Sequence, residues 1–320
     1  MTASAAVIGA SGFIGSRLVS ALSDLGVPTT GLTRSTPLVR AGRPVAALRR
    51  ADVIFFLASS ITPAVAATGP GRAAQDQACL AGLLEALRTE GTRPAFVLTS
   101  SGGTVYDPDA PAPYPESAPT KPTTAYGRAK LRMERMVRAR LGVIRPVILR
   151  PATVYGPGQH PRGAQGVIAH WLAAARRDQP LKLFGDPRTG RDYVFVADAV
   201  QAMVAVYRLT APPRWDPGDQ PLILNLGSGV RTALIDLLAT LVQTVRRPVV
   251  VEFEPARPFD RSDVWLDVSA AARTLGWWPS TTLADGIAAT WDAMLELHTS
   301  TGFTPGWRGS RAVSVVSDDG

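Results

Sequence analysis

The chain of 320 residues predicts an α/β protein, a doubly wound parallel sheet joined to a smaller mixed α/β lobe on its C-terminal side. Three observations carry this reading. Short apolar runs alternate with helix-period segments from Ala5 to about Arg150, as strands and crossover helices do in a parallel sheet. The first run, residues 5–8, leads into a glycine turn and a helical pattern through Leu18, Val19, Leu22 and Leu25. Beyond Gly156 the order becomes mixed: a helix over about 164–177, a strand at 181–184, and helices over about 232–245 and 283–298.

The glycine turn is Gly9-Ala10-Ser11-Gly12-Phe13-Ile14-Gly15. A strand, a tight glycine turn and a helix N-terminus together suit a dinucleotide pyrophosphate, because backbone N–H groups face the anion and no side chain blocks its approach. The spacing is G-x-x-G-x-x-G rather than G-x-G-x-x-G. Gly9, Ser11, Gly12, Phe13, Ile14 and Gly15 are therefore candidate cofactor residues. The second strand, 28–33, ends at Arg34. No Asp or Glu occurs between Asp24 and Asp52, whereas Arg34, Arg40 and Arg43 do. An acid there would hold the ribose hydroxyls of NAD, and an arginine accommodates a 2′-phosphate, so NADP(H) is favoured and NAD is the alternative. The simpler reading of these arginines is a solvated loop.

Residues 123–141 read as a helix. Tyr126 and Lys130 then share one face at i and i+4. An ammonium beside a phenol favours the phenolate and is expected to lower its pKa. Such a tyrosine can exchange a proton with a sugar hydroxyl or carbonyl oxygen. Alone, the spacing fits an ordinary amphipathic helix. Its neighbours in the chain are the buried strands 97–100 and 147–150 and a Pro/Ala-rich loop, 107–122, placed over the site.

With these motifs in place, the chain resembles the extended short-chain dehydrogenase/reductase family, the nucleotide-sugar epimerases, dehydratases and ketoreductases, from about Ala5 to Trp291. Asp52-Val53-Ile54-Phe55-Phe56-Leu57-Ala58-Ser59 is similar to the strand under the nicotinamide ribose. Leu98-Thr99-Ser100-Ser101-Gly102-Gly103-Thr104-Val105-Tyr106 is similar to the strand end that supplies a catalytic Ser or Thr. Leu149-Arg150-Pro151-Ala152-Thr153-Val154-Tyr155-Gly156-Pro157 resembles the passage into the substrate domain. Arg191-Asp192-Tyr193-Val194-Phe195-Val196-Ala197-Asp198, Asn225-Leu226-Gly227-Ser228-Gly229, Arg257-Pro258-Phe259-Asp260 and Leu275-Gly276-Trp277 follow in order. The resemblance implies a Rossmann-type fold, with Tyr126 as acid/base and Lys130 as its pKa-lowering and ribose-binding partner. It implies cofactor contacts at Leu57, Ala58, Ser59, Ser100 and Pro151. Substrate contacts fall at Gly102, Gly103 and Thr153, and on Arg191 and Arg257, whose forks match diphosphate oxygens.

Three departures accompany the resemblance. The family's catalytic Ser or Thr, four residues before Tyr106, is Gly102 here, which passes the hydroxyl role to Ser101, Thr104 or water. Strand alternation would point Ser101 away from the slot, unless the strand has ended by then. The stretch from Arg34 to Asp52 is short, with only 45–50 helical, so the family's next edge strand should be missing or vestigial. The family's asparagine in the passage motif is Thr153.

The expected division is a dinucleotide-binding domain over 1–157 with return segments at about 190–228, a substrate lobe over 158–298, and a disordered tail over 299–320. The formal charge is +8. Of 34 basic residues only Lys121, Lys130 and Lys182 are lysines, and the 31 arginines are dispersed. No basic run interleaves with aromatics, which argues against nucleic acid, and an anionic cofactor and substrate account for a basic cleft. No apolar run spans a bilayer. Cys79 is the single cysteine, which suits a reducing cytoplasm, and His160, His170 and His298 are too scattered for a metal site.

The favoured function is an NADPH-dependent 4-ketoreductase of a nucleotide-linked keto-deoxyhexose, with the proton from Tyr126. The alternative is an NAD-dependent nucleotide-sugar 4-epimerase, and a further one is a non-enzymatic NADP sensor or scaffold. A dehydratase fits less, because Gly103-Thr104 stands where dehydratases carry Asp-Glu. By analogy with the family, a homodimer would pair the helices at 72–90 and 123–141.

Overall fold

The structure, a computed structural model, describes residues 3–161, 166–212, 215–257, 260 and 263–299. The expected tail at 299–320 lies outside them, apart from Thr299. The first half alternates as anticipated: β1 (Ala5–Ile8), α1 (Phe13–Asp24), β2 (Thr29–Leu32), the two-residue strands β3 (Val39–Arg40) and β4 (Arg43–Pro44), α2 (Ala46–Arg49), β5 (Val53–Phe56), α3 (Pro63–Thr68), α4 (Pro70–Glu90), β6 (Ala95–Thr99), α5 (Gly102–Val105), α6 (Ala125–Arg138) and β7 (Arg145–Pro151). The second half holds β8 (Thr153–Tyr155), α7 (Val167–Arg176), β9 (Leu181–Phe184), β10 (Gly190–Arg191), β11 (Tyr193–Phe195), α8 (Val196–Thr210), β12 (Leu222–Leu226), β13 (Thr232–Ala233), α9 (Leu234–Val245), β14 (Val251–Glu254), α10 (Ser269–Leu275) and α11 (Leu283–Thr299).

The main sheet runs β12-β7-β6-β5-β1-β2, and its five adjacent pairs are all parallel. Alternation along β5 shows how it is covered on both faces. Val53 and Phe55 enter the layer with Leu18, Leu22 and Met203 of α1 and α8. Ile54 and Phe56 enter the opposite layer with Leu80, Leu84, Met133 and Val137 of α4 and α6. A strand buried on both faces reads as a continuous apolar run, as the sequence of β5 does. A third core, built on Trp171, Leu172, Leu181, Leu237, Leu241 and Trp291, holds α7, β9, α9 and α11 together.

One expectation holds and two change in detail. The sheet ends at β2, and the 35–51 stretch folds into the β3–β4 hairpin and the single turn α2, so the missing edge strand is confirmed among the described residues. Residues 232–233 pair with β10 instead of opening the next helix. Residues 102–105 form a helical turn instead of prolonging β6.

Two carboxylates of the 191–198 motif are structural anchors. Asp192 accepts from the N–H groups of Ser228, Gly229 and Leu266 and from the Ser228 hydroxyl. Asp198 accepts from Ser280 and Thr281. No helix among the described residues is long and apolar enough to cross a membrane.

Candidate active site

In a parallel sheet, ligands gather at the C-terminal ends of the strands. Here those ends carry Gly9 after β1, Leu57-Ala58-Ser59 after β5, Ser100 after β6 and Pro151 at the end of β7. Gly9 has φ +94°, and a Cβ there would lie 2.8 Å from the Ala58 nitrogen. A Cβ on Gly15 would overlap the Gly9 carbonyl. Both positions therefore require glycine, and the turn presses against the end of β5. Gly12 is the N-cap of α1, with no side-chain cap and no acidic residue in the first turn. The first-turn N–H groups are thus left for an anion. Ser11 is exposed and Phe13 and Ile14 are half-buried beside it. This cradle fits a dinucleotide pyrophosphate. Arg34 lies just past β2, exposed and with no hydrogen bond or ion pair among the described residues. Arg17, further along α1, donates to the Pro157 carbonyl and so ties this helix to the turn after β8.

The acid/base candidates stand on α6. Thr124 caps it by accepting from the Gly127 N–H at 3.0 Å. Gly127 must be glycine, because the Thr104 carbonyl sits where its Cβ would be. The Lys130 Nζ lies 5.7 Å from the Tyr126 ring centroid and donates to the Thr99 carbonyl at 3.2 Å. Lys130 is 4% exposed. Burial lowers its pKa to about 8, against the opposing pull of Asp76 and Glu134. The Tyr126 ring packs against a small apolar cluster of Ile61, Val65, Ala66 and Ala73 under α3 and α4. Burial first, and then the Asp76 carboxylate, push its phenol well above the ordinary range. The expectation that Lys130 lowers the tyrosine pKa is therefore corrected. Desolvation of the phenolate outweighs the neighbouring ammonium.

The strand end explains how the third member is arranged. β6 stops at Thr99, so alternation does not govern Ser101. The Ser100 side chain is 3% exposed, and its hydroxyl donates to Glu134. Glu134 in turn takes a two-pronged contact from Arg150, at 2.7 and 3.0 Å. Ser101 precedes the α5 turn, half-buried. The Thr104 Oγ1 is buried without a hydrogen-bond partner, and its residue abuts Gly127, next to Tyr126. Gly102 has no room for a hydroxyl, because a Cβ would meet Leu266 Cδ1 at 2.5 Å and the Arg150 carbonyl at 2.8 Å. Gly102→Ser is expected to cost about 1–3 kcal/mol by overpacking without raising turnover. Chemical denaturation alongside an activity assay checks this, and an equally stable, faster variant would refute it.

The lobe brings two arginines together. Arg191 on β10 is half-buried, and burial lowers its pKa, with Arg257 adding repulsion and Asp260 and Asp263 opposing it. Arg257 pairs with Asp260 at 2.8 Å and lies 4.5 Å over the Phe184 ring. Thr153 opens β8, half-buried. Gly103 lies in the α5 turn beside Ser101. A cavity of about 500 Å³ lies between Tyr114, Arg188, Arg231 and Trp265. Arg188 and Arg231 there are paired with Asp186 and Asp263.

Sequence reasoning missed Asp76, Glu134 and Phe184. Glu134 carried a usable signal, since it follows Lys130 by one helical turn on the same face. Asp76 carried none, being brought to α6 only by the packing of α4.

A glycine cradle, the half-buried Tyr126 beside the buried Lys130 at the strand ends, and two neighbouring arginines fit the site of a dinucleotide-dependent enzyme. The model of the NAD dependent epimerase/dehydratase family matches residues 5–216, and the chain belongs to this family of enzymes acting on nucleotide sugars. It is 33% identical over 313 residues to a UDP-glucose 4-epimerase of Mycolicibacterium smegmatis, covering 89% of this chain and 96% of that one. It is 31% identical over 194 residues to the dTDP-4-dehydro-6-deoxyglucose reductase of Escherichia coli, covering 60% of this chain and 58% of the relative. The crystal structure of a Thermotoga maritima UDP-glucose 4-epimerase with UDP-glucose superposes with a TM-score of 0.80 at 27% identity, over 92% of this chain and 99% of that one.

Proposed function

We propose that this chain is an NAD-dependent nucleotide-sugar 4-epimerase acting on a UDP-hexose. The observation that carries the choice is the likeness to a UDP-glucose 4-epimerase over both sheet and lobe, whereas the likeness to the reductase covers only part of each chain. Tyr126 takes the proton of the C4 hydroxyl and returns it to the C4 oxygen. Lys130 places a positive charge beside the phenol, where it partly offsets the cost of burying the phenolate that forms as the proton moves. Ser101, half-buried beside the strand end, offers the substrate a hydrogen bond in place of the hydroxyl that Gly102 lacks. Arg191 and Arg257 grip the diphosphate, and Phe184 offers the base an apolar face. The nicotinamide, when bound, supplies reversible two-electron exchange at C4. Turnover of UDP-glucose and UDP-galactose into one another with added NAD⁺, and no net reduced cofactor, is the expected result.

A second reading, the NADPH-dependent 4-ketoreductase, is favoured by Arg34 and by the phenol being held in its protonated, donating form. Stoichiometric consumption of NADPH on a nucleotide-linked 4-keto sugar, with no interconversion of the two UDP-hexoses, would establish it instead. A homodimer pairing α4 and α6 of two copies and a cytoplasmic location complete the proposal.

A further inference from the structure

We propose that Asp76 is a positioning residue of the Tyr126–Lys130 couple: fixed to the turn after β5 and carried on α4 where it packs against α6, its carboxylate sets the charge beside the two side chains. This rests on the reading of that couple as the acid/base pair. The carboxylate accepts from the Ser60 N–H at 2.8 Å and lies 3.5 Å from the Ser59 hydroxyl, so it is anchored to the loop that closes the strand end. The next residue on α4, Gln77, reaches across to α6. It donates to the Ala129 carbonyl at 3.5 Å and accepts from Arg132 at 3.3 Å. Asp76 is thereby held beside the couple by contacts on both sides.

Few other charges face Lys130. From its own helix come Tyr126 and Glu134, and Glu134 is already committed to the Arg150 guanidinium at 2.7 Å and to Ser100. Arg132 on α6 and Arg72 on α4 are exposed. The packed elements α3 (PAVAAT) and α5 (GGTV) contribute no ionisable group, and β6 contributes only the Thr99 carbonyl. Asp76 has no ion pair among the described residues, whereas Glu134 is bound by Arg150, and Asp76 is the larger of the two opposing influences on Lys130. It acts on the phenol in the same sense. Loss of its charge should let Lys130 shed its proton at lower pH, so the ammonium fails earlier as pH rises.

The three lysines allow a direct test that needs no substrate. In protein carrying isotope-labelled lysine, three side-chain resonances are expected, and Lys130→Arg assigns the buried one. Its titration midpoint should lie near 8 in the parent protein and move down by at least about half a pH unit in Asp76→Asn. Asparagine retains an acceptor for the Ser60 N–H, so a merely structural Asp76 would leave the midpoint in place. Asp76→Ser gives the same reading should the asparagine variant fold poorly. An unmoved midpoint in either folded variant overturns the proposal. A Tyr126→Phe protein that still turns over would instead overturn the acid/base reading while leaving this titration valid.

Discussion

Tyr126→Phe should lower turnover by about 10²–10⁴-fold while leaving cofactor binding and stability largely intact. The substitution removes one hydroxyl and keeps the ring. That ring fills the cluster of Ile61, Val65, Ala66 and Ala73 and lies under the Lys130 ammonium, and both contacts survive in phenylalanine. The glycine cradle is built from β1, α1 and the end of β5, so the variant should still bind dinucleotide. Steady-state kinetics with a binding titration separates the two effects, and a loss confined to kcat marks an interaction made in the transition state. Unchanged turnover would mean that another group moves the proton.

Glu134→Ala should destabilise the fold by about 3–5 kcal/mol, a large part of the stability of a typical domain. Glu134 and Arg150 are 0% and 1% exposed. Removing the carboxylate strands a guanidinium in the core and leaves the Ser100 hydroxyl without its acceptor. Arg150 also stacks on Tyr106 at 4.8 Å, and Tyr106 donates to Asn225 at 2.6 Å, so the damage should spread from α6 through β7 to β12. Urea denaturation reads the loss. Glu134→Ala with Arg150→Met should recover part of it, because the pair is then removed together. A single variant as stable as the parent would show that Arg150 finds another partner.

The fold was legible because its signals are local. The run 5–8, the glycine turn and the periodicity through Leu18, Leu22 and Leu25 each need only neighbours in sequence, and β1 and α1 follow them. The short 35–51 connector foretold the absent edge strand for the same reason, since too few residues remain for a strand and a helix. What was not legible depends on packing. Gly102-Gly103-Thr104-Val105 has poor helix propensity, yet it turns helically where Leu266 and the Arg150 carbonyl close over Gly102. The Tyr126 phenol was misjudged because one neighbouring charge is visible in sequence, whereas the apolar cluster from α3 and α4 and the carboxylate of Asp76 are not. Arg191 and Arg257 were picked out by resemblance, but only the lobe core brings them together.

The early end of the sheet at β2 has a kinetic meaning. A dinucleotide laid along this sheet would have one wall fewer beside its adenine, with only the β3–β4 hairpin and an exposed Arg34 on that side. Each 1.4 kcal/mol of contact removed changes the equilibrium tenfold, and among related complexes such differences fall mostly on the rate of departure. An enzyme built this way should hold its nucleotide as an exchangeable cofactor, released between turnovers, rather than as a permanently bound group. Its activity would fade on dilution and return when free nucleotide is supplied.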